Sequence, residues 1–258
     1  MNYEWMQEFA GQGAGLATTV RPTIVGFAAV LDNLSAFVDN IRRPTAVAAV
    51  SGAFVLLWVF LSGGVIERYA ADRSGRRRGF LAACAAWFFR MFRLALMTAV
   101  VYGLLFGALH PLLFTRLYPR LVRGVGLEST AFMIRGGLYL VFLFFLAAVN
   151  LVFDYARVRA VVEDRRSMAV ALVASWRFIG ANKAGAVGVY LLDALLFALT
   201  LAVYSFIAPS GGGIGMMVWA AVAIGQVYIL GRLTIRLLFF ASETALVVAT
   251  LKGSPYER

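Results

Sequence analysis

The sequence predicts an all-α fold, a polytopic helical membrane protein with about six transmembrane helices. Hydrophobic residues make up 62% of the 258 residues and the mean hydropathy is +0.82, whereas a soluble domain contains roughly 45–50% apolar residues. The apolar residues are gathered into runs close to the roughly 20 residues that a helix needs to cross a hydrocarbon core. Segments rich in arginine separate several of these runs. Together, the three observations predict a chain that lies in a lipid bilayer.

Residues 1–44 are expected to form an interfacial segment that precedes the membrane domain. The part from 23 to 41 is moderately apolar, but it carries three polar side chains: Asp32, Asn33 and Asp39. Groups of this kind are costly at a transmembrane position. The sequence therefore favours a helix that lies on the membrane surface over a helix that spans it.

The membrane domain, residues 45–251, contains six apolar runs, and a polar tail follows at 252–258. The runs cover 45–66, 94–110, 137–153, 184–207, 214–231 and 237–251. His110–Pro111 is expected to end the second helix, because a proline inside a helix removes a backbone hydrogen bond and clashes with the preceding turn. Residues 112–134 should then form a long connection. Two arginines are expected to separate the fifth run from the sixth.

The basic residues point to a membrane surface and predict an orientation. The formal net charge is +11, from 24 basic and 13 acidic residues. Anionic headgroups and the positive-inside rule explain this excess better than nucleic acid does, so no nucleic-acid partner is expected. Connectors 67–79 and 154–183 carry eleven basic residues, against four in 110–135 and none in 208–213. The first two connectors should therefore face the cytoplasm, with the protein in the inner membrane of a bacterium.

Four arginines of the two basic connectors are expected at the level of the lipid headgroups: Arg76, Arg77, Arg165 and Arg166. An arginine close to an anionic membrane surface contributes about 1 kcal/mol to binding. Membrane lipids with anionic headgroups are therefore the first partners that the sequence predicts.

Connector 154–183 is predicted to be helical, amphipathic and interfacial. Tyr155, Val158 and Val162 follow the spacing i, i+3, i+7, which is one face of a helix. After a charged cluster, an apolar stripe continues through Ala169, Leu172, Val173, Trp176 and Ile179. This pattern predicts a basic helix that lies on the membrane surface and leads into the next span.

The sequence also indicates an internal hairpin repeat. The segment from Asp72 resembles the segment from Glu163, and the comparison matches Trp87 with Trp176 and a pair of arginines with another pair. Each segment reads as a basic cluster, an amphipathic helix with one tryptophan, and a span. Such repeats are common in transporters, and they also occur in membrane proteins that transport nothing.

The order of six apolar runs, with DYARVRAVVEDRRS after the third and SWRF before the fourth, resembles a bacterial group. This group consists of six-helix membrane proteins related to the membrane domain of glycerophosphoryl diester phosphodiesterases. The resemblance covers about residues 45–251, and its most specific part is 154–166. It implies an all-helical membrane fold with no established activity. The soluble phosphodiesterase domain found beside some relatives is absent here, and no catalytic residue is carried over.

The residues that usually carry chemistry are few. The chain has one histidine, His110, and one cysteine, Cys84, whereas a zinc site needs three or four protein ligands. His110 is expected to have a polar interfacial role and Cys84 to pack in the core. The sequence contains neither a Gly-Lys-Ser/Thr phosphate loop nor a Gly-x-Ser-x-Gly motif. We therefore expect a protein that is not an enzyme and that has no cofactor and no metal.

Polar residues at membrane depth are the remaining candidates. Arg232, Arg236 and Glu243 share one face if the last helix is continuous, and that face should turn inward. They would form either an ion or proton pathway or, preferably, a buried polar lock between helices. A separate stripe of small residues should allow close helix contact. It consists of Ala95, Ala99, Gly103 and Gly107.

Two functions of different classes are compatible with these observations. The first is a non-enzymatic integral membrane protein that acts as a scaffold or accessory subunit of a cell-envelope assembly, with protein partners or as a homo-oligomer. The alternative is a small transporter or channel for a small molecule, an ion or a lipid. A lipid-handling enzyme is disfavoured, because the sequence offers no nucleophile, base or metal set.

Overall fold

The computed structural model describes Asp39 and residues 45–70, 79–207 and 216–252, and every regular element among them is a helix. The helices are α1 (Thr45–Ala70), α2 (Phe80–Leu104), α3 (Tyr118–Leu121), α4 (Glu128–Val162), α5 (Met168–Ala181), α6 (Lys183–Ile207) and α7 (Met216–Lys252). Apart from Asp39, the predicted interfacial segment 1–44 lies outside the described residues. The same holds for residues 253–258 of the predicted tail.

Among the described residues, five helical segments are long and apolar enough to cross a membrane, so the prediction of an all-helical, multi-pass membrane protein is confirmed at this level. They are Ala49–Ala70, Phe80–Leu121, Glu128–Val162, Lys183–Ile207 and Val222–Leu251. At a rise of about 1.5 Å per residue, each of them exceeds the roughly 30 Å of a hydrocarbon core.

The expected boundary between a fifth and a sixth span is wrong. Residues 214–231 and 237–251 were expected to form separate helices, but from Met216 onward both belong to the single 37-residue helix α7. Arg232 and Arg236 lower the local hydropathy, yet an arginine is a good helix former and does not interrupt the backbone. The charge therefore divides the apolar pattern without dividing the helix.

The expected helix end at His110–Pro111 is also wrong. The backbone remains helical through this dipeptide, with π-helical turns at Leu105–Leu109 before it and Leu112–Leu117 after it. A π-turn is wider than an α-turn and often accommodates a local disturbance in a helix. The proline is thus tolerated, and much of the expected connection 112–134 is helical.

The basic connector begins later than its charges suggested. Helix α4 ends at Val162, and Asp164, whose φ is +47°, lies just beyond this end. The Asp164 N–H donates to Val161 O at 3.3 Å and the Arg165 N–H donates to Ala160 O at 3.0 Å, which is the hydrogen-bond pattern of a Schellman motif. Helix α5 begins at Met168, four residues after Asp164. The charged residues before Asp164 therefore extend the preceding helix instead of lying in a separate connector.

Helix α5 has two apolar faces. Met168, Ala171 and Phe178 are buried in the protein, whereas the predicted stripe contains Val173 and Trp176, which are 52% and 68% exposed. The stripe thus points away from the helices described around it. The two tryptophans that the predicted repeat would match therefore have different surroundings, because Trp87 is buried at 9% exposure.

The chain divides into two compact units. One contains the described residues 45–70, 79–190 and 240–252, and its main packing contacts join α1 to α2 and α4 to α5. The other contains Asp39 and residues 191–207 and 216–239. Inside the second unit, the rings of Tyr204 and Tyr228 stack with their centroids 4.1 Å apart.

Close contact between α1 and α2 depends on two adjacent glycines. A Cβ added at Gly63 would lie 2.3 Å from Trp87 Cβ, and one added at Gly64 would lie 2.4 Å from Cys84 Sγ. No real Cβ approaches other atoms so closely, so both positions require glycine. The expectation that Gly103 and Gly107 face another helix is wrong, since a Cβ at either position would meet nothing within 4 Å.

Candidate functional site: a polar cluster among the apolar helices

Helix α4 carries three polar side chains on one face inside its long apolar segment. Asn150, Asp154 and Arg157 follow the spacing i, i+4, i+7, which places them on adjacent turns. Arg157 forms an ion pair with Asp154, and their side chains are only 23% and 21% exposed. Pairing of this kind offsets part of the cost of two charges away from water.

Asn150 joins α4 to two other helices. The Tyr102 hydroxyl, on α2, donates a hydrogen bond to Asn150 Oδ1, and the Tyr190 phenol, on α6, lies near the same amide. A primary amide has two donors and an acceptor with two lone pairs, so one side chain can serve several partners. Three helices therefore meet at a single residue.

A buried carboxyl group extends this group of polar residues. Glu243, on the last part of α7, is fully buried and interacts electrostatically with Tyr190. Asp154 interacts electrostatically with both tyrosines. We use the name polar cluster for the six residues, which are Tyr102, Asn150, Asp154, Arg157, Tyr190 and Glu243.

The predicted polar face of the last helix is only partly buried. Glu243 is buried, in agreement with the prediction that it points inward, but Arg232 and Arg236 are exposed. The Arg232 guanidinium lies over the rings of Phe197 and Tyr228, at 5.6 and 5.7 Å from their centroids. Aromatic faces attract a cation, and a long side chain can run along a helix surface with its charged end outside. The inward turn expected for these two arginines is therefore wrong.

The arginines expected at the headgroups have different surroundings. Arg165 forms an ion pair with Glu163, which also pairs with Arg159. Arg166 is exposed and has no ion pair with a residue that the structure describes. Arg76 and Arg77 lie outside the described residues. The position of all four relative to lipid headgroups stays a prediction.

The turn between α4 and α5 is held by side chains that reach across it. Arg159 donates a hydrogen bond to Ala174 O, and Ser175 Oγ donates to Val152 O at 3.1 Å. Arg90, on α2, pairs with Asp164 at the end of α4. The ionic groups of this region thus fasten α5 and α2 to the end of α4.

The side chains of His110 and Cys84 are both buried and pack against neighbouring residues. The His110 ring is buried against Phe114 and Phe142, with centroid distances of 4.7 and 5.4 Å. This differs from the expected interfacial role, because the wide turns around Pro111 keep the histidine inside the bundle. Cys84 is buried, as expected, with Sγ 3.9 Å from Leu61 O. Within the described ranges, no three His, Cys, Asp or Glu residues are grouped as metal ligands would be.

Sequence reasoning missed most of the polar cluster. The spacing of Asn150, Asp154 and Arg157 was readable, but the last two were assigned to the connector because helix α4 was expected to end at Phe153. Tyr102 and Tyr190 gave no signal, because tyrosine is common in apolar helices and its partner depends on tertiary packing.

A comparison of the chain with protein families, curated proteins and solved structures finds no match.

Proposed function

We propose that this chain is a non-enzymatic integral membrane protein that acts as a scaffold or accessory subunit of a cell-envelope assembly. The observation that carries the proposal is the junction at Asn150, where the phenols of Tyr102 and Tyr190 meet one amide. Such a junction fixes α2, α4 and α6 relative to one another, because each buried polar group is costly to leave without its partner. A fixed bundle is what a partner protein needs as a docking platform.

The environment proposed for this scaffold is the inner membrane of a bacterium. The basic segments after α1 and after α4 would face the cytoplasm and contact anionic headgroups. A partner protein or a second copy of the chain would pack against the apolar outer faces of the helices. The relation to the membrane domain of glycerophosphoryl diester phosphodiesterases stays a prediction, because no family match supports it.

The experiment is crosslinking of the tagged protein in intact membranes, followed by purification in mild detergent and mass spectrometry. A scaffold should yield the same stoichiometric protein, or a defined oligomer of itself, with and without crosslinker. Asn150→Leu should reduce this association, whereas Ser129→Ala, an exposed position on the same helix, should not. A monomer without stoichiometric partners under all conditions would contradict the proposal.

A transporter of protons or small cations is the second candidate, and the polar cluster favours it. The carboxyl groups of Asp154 and Glu243 both lie near Tyr190, so the cluster gathers several ionisable groups among apolar helices. Ionisable residues inside apolar helices often mark ion or proton pathways. Proton flux into proteoliposomes that stops in Glu243→Gln, with the fold intact, would support this function. Flux equal to that of empty vesicles would rule it out.

A further inference from the structure

An open cleft of about 580 Å³ lies between α2 and the start of α5. Helix α2 contributes Arg93, Leu96 and Met97, at i, i+3 and i+4, so the three side chains share one face of the helix. Arg166, Ser167 and Met168 form the opposite wall. The cleft thus combines two basic groups with apolar side chains from both helices.

The two arginines of the cleft differ from the other basic residues around it. Segments 80–97 and 154–169 contain six arginines. Four of them form ion pairs with described acids: Arg90, Arg157, Arg159 and Arg165. The two that form no ion pair within the described part of the chain are Arg93 and Arg166. The acidic side chains of this region therefore pair with the other four arginines, and positive charge is concentrated at the cleft.

The chemistry of the lining determines what fits. A guanidinium matches the geometry of a phosphate group and binds it through charge-assisted hydrogen bonds. Leu96, Met97 and Met168 offer an apolar surface beside that charge, which a soluble anion cannot use. An amphiphilic anion satisfies both walls, because its phosphate meets the arginines while its hydrocarbon part covers the apolar side chains.

We propose that this cleft binds one anionic phospholipid, with the phosphate held between Arg93 and Arg166 and the acyl region against Leu96, Met97 and Met168. The site is a discrete binding position, in contrast to a diffuse attraction of the whole basic surface to the membrane. It does not depend on the scaffold function, since a transporter with the same cleft would bind the same lipid.

The test is native mass spectrometry of the purified protein in detergent, titrated with phosphatidylglycerol or phosphatidylcholine. The unmodified chain should hold one phosphatidylglycerol and prefer it to phosphatidylcholine. Arg93→Gln and Arg166→Gln should each weaken this binding roughly fivefold, which follows from about 1 kcal/mol per arginine near anionic lipid. The double variant should weaken it roughly 25-fold if the two contributions are additive.

The matched control is Arg116→Gln with Arg120→Gln, which removes the same charge from two exposed positions away from the cleft. Equal losses in the control and in the cleft variant would overturn the proposal, because diffuse attraction would then explain the binding. Equal affinity for the two lipids would do so as well. Displacement by millimolar inorganic phosphate alone would show a free-anion site and would also contradict it. If the double variant does not fold, the lipid affinities of the two single cleft variants are compared with those of Arg116→Gln and Arg120→Gln made singly.

Discussion

The hairpins α1–α2 and α4–α5 have the same kind of anchor but different interfaces. Cys84 Sγ lies 3.9 Å from Leu61 O in the first, and Ser175 Oγ lies 3.1 Å from Val152 O in the second, and each pair is 23 residues apart in the chain. One turn further on, Trp87 and Phe178 are both buried. Corresponding positions in the two hairpins are thus separated by 91 residues.

The difference lies opposite the anchor. The first hairpin has Gly63 and Gly64, which allow α1 to lie close to Trp87 and Cys84 of α2. Ninety-one residues later the chain has Asp154 and Tyr155. The Tyr155 ring instead packs against Phe178 of α5, with ring centroids 5.4 Å apart, and Asp154 pairs with Arg157 on its own helix. One interface depends on the absence of side chains, and the other on contact between two aromatic side chains.

A 91-residue separation agrees with a repeat in which the segment from Asp72 matches that from Glu163. It differs by two residues from the pairing of Trp87 with Trp176. The hairpin repeat itself stays a prediction, because two pairs of corresponding positions do not establish that the whole hairpins have the same structure. The following changes probe the contrast between the two interfaces, from the largest expected effect to the smallest.

Gly64→Ala should lower the free energy of unfolding by about 3 kcal/mol, because the new methyl group would overlap the Cys84 side chain and force the helices apart. Thermal unfolding in detergent measures the effect. Gly52→Ala is the matched control on the same helix, where nothing lies within 4 Å. There the substitution should stabilise the helix by up to about 1 kcal/mol. The same sign at both positions would remove the basis for a glycine interface.

Glu243→Leu should lower the free energy of unfolding by about 2 kcal/mol, because leucine would remove every polar interaction of this fully buried side chain. Glu243→Gln should keep most of the stability, since an amide remains polar and has nearly the same shape. The control is Glu128→Leu at an exposed position at the start of α4, where we expect little change. If Leu and Gln at position 243 unfold at the same temperature, the polar contact contributes nothing.

Ser175→Ala should lower the free energy of unfolding by about 1 kcal/mol, the usual net contribution of one hydrogen bond. The Ser175 hydroxyl also donates to Leu172 O at 2.8 Å, so the bond to Val152 O is shared and the loss stays small. Ser129→Ala on the exposed surface of α4 serves as the control. A loss no greater than that of the control would mean that the second anchor is not a stabilising contact.

Most of the fold was predictable from local pattern, because apolar runs and arginine-rich ends are properties of neighbouring residues. The continuity of α7 was missed, since Arg232 and Arg236 change hydropathy and leave the helical backbone intact. The path through Pro111 was missed because π-turns have no clear sequence signal. The spacing of the glycines also led to a wrong prediction. Gly103 and Gly107 belong to a regular stripe of small residues, but the adjacent pair Gly63 and Gly64 makes the close contact between α1 and α2.

The candidate site was less predictable than the fold. The burial of Glu243 follows from the cost of an acid inside an apolar helix. Asn150 is a polar residue inside an apolar run, but the two tyrosines beside it lie 48 residues before it and 40 residues after it in the chain. Such long-range contacts are set by packing of the helices, which no local pattern encodes.

A double-mutant cycle with Tyr102→Phe and Asn150→Leu tests most directly whether Asn150 locks α2 to α4. The single variants should lower the free energy of unfolding by about 1 and about 2 kcal/mol. The double variant should be no less stable than Asn150→Leu alone, so that a coupling of about 1 kcal/mol remains. Losses that add to within about 0.5 kcal/mol would contradict the account, because the two side chains would then contribute independently.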